Sequence, residues 1–343
     1  MSNHSFLSLL GARAFVGLCA SALVRRPDQA LLGFLGGSQF ALPPRVFDMR
    51  RRRACALPRH RADSLRRLDR RHLPRHFVLE LRHDGLDREA LVHLPPDVER
   101  GASVVLAFHG YTSDAQEQAE YTQLDRVGAA HGLAVVHPQG THSLMGYRAW
   151  NAGRFFERAM PRPTDDVGFV RRLMDELASL WPVRDWFATG MSNGGMFAYR
   201  LAHALPGRFA AIAPVAAVDL ADEPIARPLG VFHVHGEKDG LLPFQERPFR
   251  VGSAIGGFHW TRSARHSVLR FAHAAGASSA ERRHDGGRRY EVWRGRDGVT
   301  VQLVVHGGGH TWLGDGFAIA RRYERAVAEG TVEIVRFLLD HAQ

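Results

Sequence analysis

The chain has 343 residues, of which 45% are hydrophobic and 23% are charged, with a formal net charge of +10 and only two cysteines. These values exclude a disordered, collagen-like or disulfide-stapled chain, and two cysteines are too few for a four-cysteine zinc site. No apolar run reaches the roughly 18 residues that a transmembrane segment needs, so we expect a globular protein with a large core.

The positive charge is concentrated at the N-terminus. Residues 1–76 contain 15 arginines and four aspartates but neither lysine nor glutamate. The apolar stretch 14–24 has the length of a signal peptide, but Arg25 and Arg26 follow it, whereas a signal peptide carries its positive charge in front. We predict an Arg-rich, poorly ordered extension over 1–76 and one catalytic domain over 77–343. A basic tether to nucleic acid or to an anionic membrane is the alternative for the extension, and no nucleic acid is expected at the catalytic domain.

Strand and helix patterns alternate from residue 77 onward. Residues 77–81 and 90–94 predict two strands around a turn at Asp84-Gly85. Continuous apolar runs predict buried strands at 103–108, 133–137, 186–189, 211–218, 230–235 and 301–305. Helices are predicted from a capping box at Ser113 to Gly132, after a cap at Thr164, over 195–205 and over 331–339.

This order of elements is typical of the α/β class. It predicts a mostly parallel central sheet with helices on both faces and no large cap domain. Such sheets carry their functional residues just after the carboxyl ends of the strands. Those positions are therefore where we expect the chemistry.

A candidate nucleophile follows the strand predicted at 186–189. Ser192 is the central residue of Gly190-Met191-Ser192-Asn193-Gly194, a G-x-S-x-G pattern between a strand and a helix. Glycines on both sides allow the close approach of strand and helix that such a turn requires, and the helix N-terminus favours developing negative charge. A tight glycine-rich turn with no catalytic role is the alternative.

A serine nucleophile needs a base and an acid that orients the base, and in this fold class the acid precedes the histidine. Asp239 follows the strand at 230–235, with Glu237 as a weaker candidate for the acid. His310 follows the strand at 301–305 in a loop with three glycines, which we expect to let it swing over Ser192. His306 is nearer to that strand and less free. We predict Ser192, Asp239 and His310 as the triad.

The oxyanion hole needs two backbone N–H donors. We expect one from Asn193, directly after the nucleophile, and the other from Tyr111 in the loop after the strand at 103–108. His109 is expected to support that loop.

These motifs together resemble α/β-hydrolase esterases of the polyhydroxybutyrate depolymerase-like family, which is related to the feruloyl and acetylxylan esterases of the first carbohydrate-esterase family. The resemblance covers roughly residues 77–343. The stretches that carry it are AFHGYTSDA (107–115), VVHPQGT (135–141), WNAG (150–153), DDVGFVRRLMDEL (165–177), ATGMSNGGMFAYRLA (188–202), FAAIAPVAA (209–217), VHGEKDGLLPF (234–244) and GGGHTW (307–312).

The resemblance implies the same triad of Ser192, Asp239 and His310, acting on an ester through an acyl-enzyme without a metal or an organic cofactor. Trp150 and Trp312 match family motifs near the cleft; they either line a substrate pocket or pack in the core. Asp165 and Asp166 also suit the first turn of a helix. The expected substrate is a small or oligomeric ester, and polyhydroxyalkanoate, feruloyl and acetyl esters all fit.

Three questions stay open at this point. A serine peptidase on the same fold is one alternative activity, although only 46 residues separate Ser192 from Asp239, too few for a large filtering domain. A non-catalytic binding protein on a hydrolase scaffold is the other. The resemblance implies an extracellular or periplasmic location, whereas the N-terminus carries no clear signal peptide, so a cytoplasmic location also fits. The oligomeric state is open as well.

Overall fold

The computed structural model describes residues 57–153, 155–162, 164–242, 244–245, 249–251, 258–260, 262–312 and 320–342. These residues fall into two compact units. One comprises Leu57–Glu246 and Arg262–Gln343. In the other, the described residues form one antiparallel hairpin, β11 (Phe249–Val251) with β12 (Phe258–Trp260).

An 11-stranded sheet runs through the larger unit. Its strands are β1 (Arg59–Arg61), β2 (His76–His83), β3 (Leu86–His93), β4 (Ala102–Phe108), β5 (Ala134–Pro138), β8 (Val183–Met191), β9 (Ala211–Val215), β10 (Gly230–Gly236), β13 (Glu281–Asp285), β14 (Arg288–Arg294) and β15 (Thr300–His306). A separate short hairpin joins β6 (Thr141–His142) and β7 (Arg148–Ala149).

The strand order is β1-β2-β3-β5-β4-β8-β9-β10-β15-β14-β13. The six strands from β5 to β15 in this order are parallel to one another, and an antiparallel hairpin pairs in antiparallel fashion with each end of this block. The predicted mostly parallel sheet is confirmed. The carboxyl ends of β4, β8, β10 and β15 therefore share one edge, where the predicted site residues follow them.

Eight α-helices are present in the described part of the chain. They are α1 (Ala62–Leu65), α2 (Ala115–Thr122), α3 (Leu124–Ala130), α4 (Phe155–Arg158), α5 (Asp166–Leu180), α6 (Asn193–Ala204), α7 (Ala264–Ala274) and α8 (Ala320–Leu339). Within this part of the chain, no helix is long and apolar enough to cross a membrane. No cap domain is seen among these elements.

The helices cover both faces of the sheet because side chains alternate along each strand. Val105 and Ala107 of β4 join a core cluster that also contains Leu124 of α3 and Ile334 of α8. The next side chain along β4, Phe108, points to the other face. There it meets Phe197 of α6 in an edge-to-face contact, with ring centroids 5.1 Å apart.

The predicted domain boundary at residue 77 is wrong. Strand β1 pairs in parallel with β2, and Leu65 and Leu73 are buried. Part of the arginine run is used in ion pairs: Arg59 contacts Glu80 and Glu89, and Arg66 lies 2.7 Å from Glu176. Residues 57–76 therefore belong to the larger unit. The remainder of the predicted extension, residues 1–56, lies outside the described residues.

Two of the predicted helix caps are each displaced by one residue. Asp114, not Ser113, caps α2 by accepting from the N–H of Glu117, and the helix is interrupted at Gln123, where φ is 53°. Asp165, not Thr164, caps α5 by accepting from the N–H of Gly168. In both cases the cap is the aspartate one residue after the predicted position. Its carboxylate accepts from a backbone N–H of the first turn, which has no acceptor within the helix.

Candidate active site

Ser192 stands at a sharp turn between β8 and α6. Its backbone is in a strained conformation, with φ 54° and ψ −119°, and its N–H donates to the carbonyl of Val215 at 2.9 Å. A Cβ atom on Gly190 would lie 2.6 Å from the backbone of Gly194, and one on Gly194 would collide with the carbonyl of Phe108. Both glycines are thus required for strand and helix to meet, as the sequence predicts for a nucleophile at this turn.

The loop after β4 lies beside this serine. A Cβ atom on Gly110 would be 3.7 Å from the Cβ of Ser192. Tyr111 comes next in the loop; its hydroxyl lies 3.3 Å from Oγ of Ser143, and its ring packs against Tyr147 and Phe156. The predicted oxyanion loop is therefore adjacent to the nucleophile turn.

His109 holds this loop in place. Burial lowers the pKa of its imidazole to about 4, so the ring is neutral. Its Nδ1 lies 2.8 Å from the carbonyl of Gly110, and its Nε2 lies 3.0 Å from the N–H of Gly140. A neutral ring that donates through Nδ1 and accepts through Nε2 satisfies both partners. His109 thus ties the loop after β4 to the loop after β5.

The residue after the nucleophile is tied to the segment around Trp150. Oδ1 of Asn193 accepts from the N–H of Trp150 at 2.7 Å, and its Nδ2 donates to the carbonyl of Trp150 at 3.0 Å. Both groups are buried. The start of α6 is therefore held against the chain that follows β7.

Asp166 supports the same segment from the other side. Its carboxylate pairs with Arg88 at 2.8 Å and accepts from the N–H of Asn151 at 2.8 Å, all in the interior. Burial raises the pKa of Asp166 despite the charge of Arg88, and it lowers the pKa of Arg88 in the same way. Asp165 caps α5 as described above. The acidic pair is structural.

Trp150 and Trp312 are both fully buried. The ring of Trp150 stacks on Phe197 with centroids 5.0 Å apart. Nε1 of Trp312 donates to Oγ1 of Thr331 at 3.0 Å, and its ring belongs to the core cluster. Of the two roles that the sequence leaves open, the structure shows packing in the core, and the prediction that these residues line a substrate pocket is corrected.

Asp239 and His310 are joined directly. Nδ1 of His310 lies 2.8 Å from Oδ2 of Asp239, whose side chain is fully buried. The N–H groups of Leu241 and Leu242 donate to Oδ1 at 2.8 and 2.9 Å. Burial alone would raise the pKa of Asp239, but the charge and hydrogen bond of His310 outweigh it and hold the pKa below its usual value. Asp239 is therefore an anionic partner for the imidazole.

The loops that carry these two residues are paired through their backbones. The N–H of Lys238 donates to the carbonyl of Gly308 at 3.0 Å, and that of Glu237 donates to the carbonyl of His306 at 2.8 Å. A Cβ atom on Gly236 would collide with the carbonyl of Gly309. The prediction that the glycine loop is free to swing is thus wrong. Backbone hydrogen bonds hold it against the loop that carries Asp239, which we call the acid loop.

The loop of His310 then continues across the sheet edge. The N–H of Trp312 donates to the hydroxyl of Tyr121 on α2, 3.1 Å away. The loop therefore runs from the residues that follow β10 to a helix that follows β4. In the strand order, β8 and β9 lie between those two strands.

The two weaker candidates take other roles. The Glu237 carboxylate is half-exposed and lies 3.3 Å from Arg289. His306 is buried at the end of β15, and its Nδ1 lies 3.1 Å from the N–H of Gly308. Neither is placed as the acid or the base.

Sequence reasoning missed three buried side chains behind the acid: Tyr199, His233 and His235. The signal for His235 is its place in VHGEKD, four residues before Asp239. No cluster of histidine, cysteine or carboxylate side chains suited to a metal ion is found within the described residues.

Comparison with known proteins gives consistent matches. Residues 85–295 match the model of the family described as "Putative esterase". The chain is 31% identical over 243 residues to "Putative esterase NocK" of Nocardia uniformis subsp. tsuyamanensis, which covers 65% of this chain and 69% of that protein. It is 26% identical over 168 residues to "Bifunctional acetylxylan esterase/xylanase XynS20E" of Neocallimastix patriciarum, which covers 48% of this chain and 23% of that protein.

Among solved structures, the acetyl xylan esterase from Aspergillus awamori matches with a TM-score of 0.51 and 13% identity. The match covers 68% of this chain and 94% of that chain. At this identity the likeness concerns the fold alone, and it confirms the fold class predicted from the sequence.

Proposed function

Because the chain belongs to the esterase family and has the α/β-hydrolase fold, we propose that it hydrolyses carboxylic esters with Ser192 as nucleophile, His310 as base and Asp239 as acid. The observation that carries this assignment is the 2.8 Å contact between His310 Nδ1 and Asp239 Oδ2. It joins loops that are 71 residues apart in the chain, at the sheet edge that also carries the strained turn of Ser192.

In acylation, Nε2 of His310 takes the proton of the Ser192 hydroxyl while Oγ attacks the ester carbonyl. The anionic Asp239 keeps the proton on Nδ1 of His310, so that Nε2 is the basic nitrogen, and it stabilises the imidazolium that forms. The N–H groups of Asn193 and Tyr111 hold the oxyanion; each such donor is worth about 10²–10³-fold in kcat.

The imidazolium then returns its proton to the leaving alcohol. In deacylation, His310 activates a water molecule that attacks the acyl-enzyme carbonyl, and the acid and Ser192 are released. Every proton transfer is made by His310, so the chain itself supplies all the acid–base groups of this cycle.

For the substrate, we propose a short or oligomeric ester of the polyhydroxyalkanoate, feruloyl or acetyl type. The acetylxylan esterase among the relatives supports the acetyl ester within this series. Comparing the release of acetate from acetylated xylo-oligosaccharides with the hydrolysis of methyl ferulate and of 3-hydroxybutyrate oligomers separates the three.

The triad is tested by hydrolysis of p-nitrophenyl esters from acetate to octanoate. Ser192→Ala is expected to lose at least about 10⁴-fold in kcat/KM. Ser179→Ala, at an exposed position on α5, serves as the matched control and keeps parental activity. A fluorophosphonate should label the parent at Ser192 and leave Ser192→Ala unlabelled. A folded Ser192→Ala variant with parental activity would overturn the assignment.

A further inference from the structure

Three titratable side chains form a buried line behind Asp239. The hydroxyl of Tyr199 lies 2.8 Å from Nδ1 of His233, and Nε2 of His233 lies 3.2 Å from Nδ1 of His235. Nε2 of His235 lies 3.1 Å from the carbonyl of Leu242 and 3.4 Å from Oδ2 of Asp239. Tyr199, His233 and His235 are all completely inaccessible to solvent.

The line has one direction of donation. The carbonyl of Leu242 can only accept, so Nε2 of His235 carries the proton and its Nδ1 accepts. Nε2 of His233 must then donate to that nitrogen, and Nδ1 of His233 accepts from the hydroxyl of Tyr199. Burial lowers the pKa of both histidines and raises that of Tyr199, so all three side chains are neutral, as this pattern requires.

The line connects the nucleophile helix to the acid loop. Tyr199 lies on α6, the helix that begins directly after Ser192, and His233 and His235 share one face of β10. At the end of the line nearest Asp239, Leu242 joins His235 to the carboxylate. Its carbonyl accepts from His235, and its N–H donates to Oδ1 of Asp239 at 2.9 Å. Oδ1 of Asp239 thus accepts from the residue that His235 holds, while Oδ2 pairs with His310.

We propose that Tyr199, His233 and His235 are positioning residues that fix the Asp239 carboxylate relative to the nucleophile helix through this one-way chain of hydrogen bonds. The proposal rests on the triad assigned above. Because His235 is neutral, it places a donor beside Asp239 without adding a second cation. The full charge of the carboxylate is left to His310.

The ring nitrogens give a direct test that needs no catalytic activity. Long-range ¹H–¹⁵N spectra of the full-length protein should show His233 and His235 as neutral Nε2–H tautomers from pH 5.5 to 8.5. Ser192→Ala should give the same signals. An imidazolium or an Nδ1–H tautomer at either residue would overturn the chain.

Variants of His235 test the positioning role. His235→Leu is expected to lower kcat about 10- to 100-fold with little change in KM, because the Asp239 carboxylate is no longer held in place for His310. His235→Gln should recover part of kcat, because its amide can still donate to Leu242. Tyr199→Phe, at the end of the line away from Asp239, should lower kcat less than about fivefold.

His137→Gln is the matched control, since His137 is equally buried on β5 and contacts Asp125 at 2.6 Å, away from this chain. It should lower the melting temperature but leave kcat within about twofold of the parent. If His235→Leu loses only stability, as the control does, the positioning role is wrong. If the parent hydrolyses no ester, the proposed function fails, while the tautomers still decide whether the chain exists.

Discussion

Asn193 is bonded at both ends of its side-chain amide to the backbone of Trp150, 43 residues earlier in the chain. The side-chain amide pairs with the backbone of Trp150 as an adjacent β-strand would, because it accepts from the N–H and donates to the carbonyl of that residue. Because the backbone of Asn193 is the expected oxyanion donor, this contact sets where that donor points.

Asn193→Asp removes the donor half of this contact and keeps the size of the side chain. The carbonyl of Trp150 then faces a buried carboxylate, so we expect a loss of about 2–4 kcal/mol in the free energy of unfolding and at least tenfold in kcat. Chemical denaturation and ester kinetics measure the two effects. Parental values for both would show that the amide contact has no influence on the site.

Two glycines near Asp239 form a matched pair. A Cβ atom on Gly236 would collide with the carbonyls of Gly308 and Gly309, whereas one on Gly240 meets nothing within 4 Å. Gly236→Ala should therefore push the acid loop away from the histidine loop and lower kcat/KM more than about 100-fold, since an error of 1 Å in catalytic geometry has effects of that size. Gly240→Ala should stay within about twofold. Equal activities would contradict the pinned-loop geometry.

The two tryptophans should affect stability but not substrate binding. Trp312→Phe removes the donor to Thr331 and part of a buried ring, so we expect a loss of about 1–3 kcal/mol in the free energy of unfolding. KM for p-nitrophenyl acetate and octanoate should be unchanged. A change in KM for only one acyl chain length would show instead that Trp312 lines the substrate pocket.

Residues before 77 contribute to the stability of the larger unit. Leu65 is 1% exposed and the nearby Leu68 is 43% exposed. We expect Leu65→Ala to lower the free energy of unfolding by about 2–4 kcal/mol and Leu68→Ala to change it by less than about 0.5 kcal/mol. Urea denaturation of the two variants measures the difference. Similar small effects would restore the boundary at residue 77.

Stability should fall on the acid side of neutrality. Burial lowers the pKa of His109 and of His93 from 6.5 to about 4, the latter in spite of the nearby carboxylate of Asp125. The unfolded chain binds these protons below pH 6.5, whereas the folded chain does not until about pH 4. The stabilisation is therefore complete above pH 6.5 and is lost as the pH falls through 4, by about 3 kcal/mol for each group.

Denaturation curves at pH 7.5, 6.0, 5.0 and 4.5 check this slope. His93→Gln should have a shallower dependence than the parent, because one of the two groups is gone. Identical slopes for the two proteins would exclude His93 as a source.

The parallel core was predictable because its strands are continuous apolar runs, and the hairpin of β2 and β3 because Asp84 and Gly85 form its turn, both with positive φ. The hairpin of β13 and β14 was not. Its outer strand, residues 281–285, is fully exposed and consists of charged side chains and one histidine, so it carries no apolar pattern. The first half of α8 was missed for a related reason: its arginines and glutamates obscure the helical period.

The sequence by itself determined the α/β class, the glycine-flanked turn at Ser192 and the chain order of Ser192, Asp239 and His310, because each is encoded by residues next to one another or by the period of one element. Only the tertiary structure decided which groups meet: Asp239 with His310, Asn193 with Trp150, and His235 with Leu242. Local patterns report that a side chain is buried, but the partner that satisfies its polar atoms comes from a distant segment. For that reason, only the three-dimensional structure showed that the tryptophans pack in the core and that the glycine loop is held against the loop of Asp239. It also showed that the histidines of β10 form one hydrogen-bonded line.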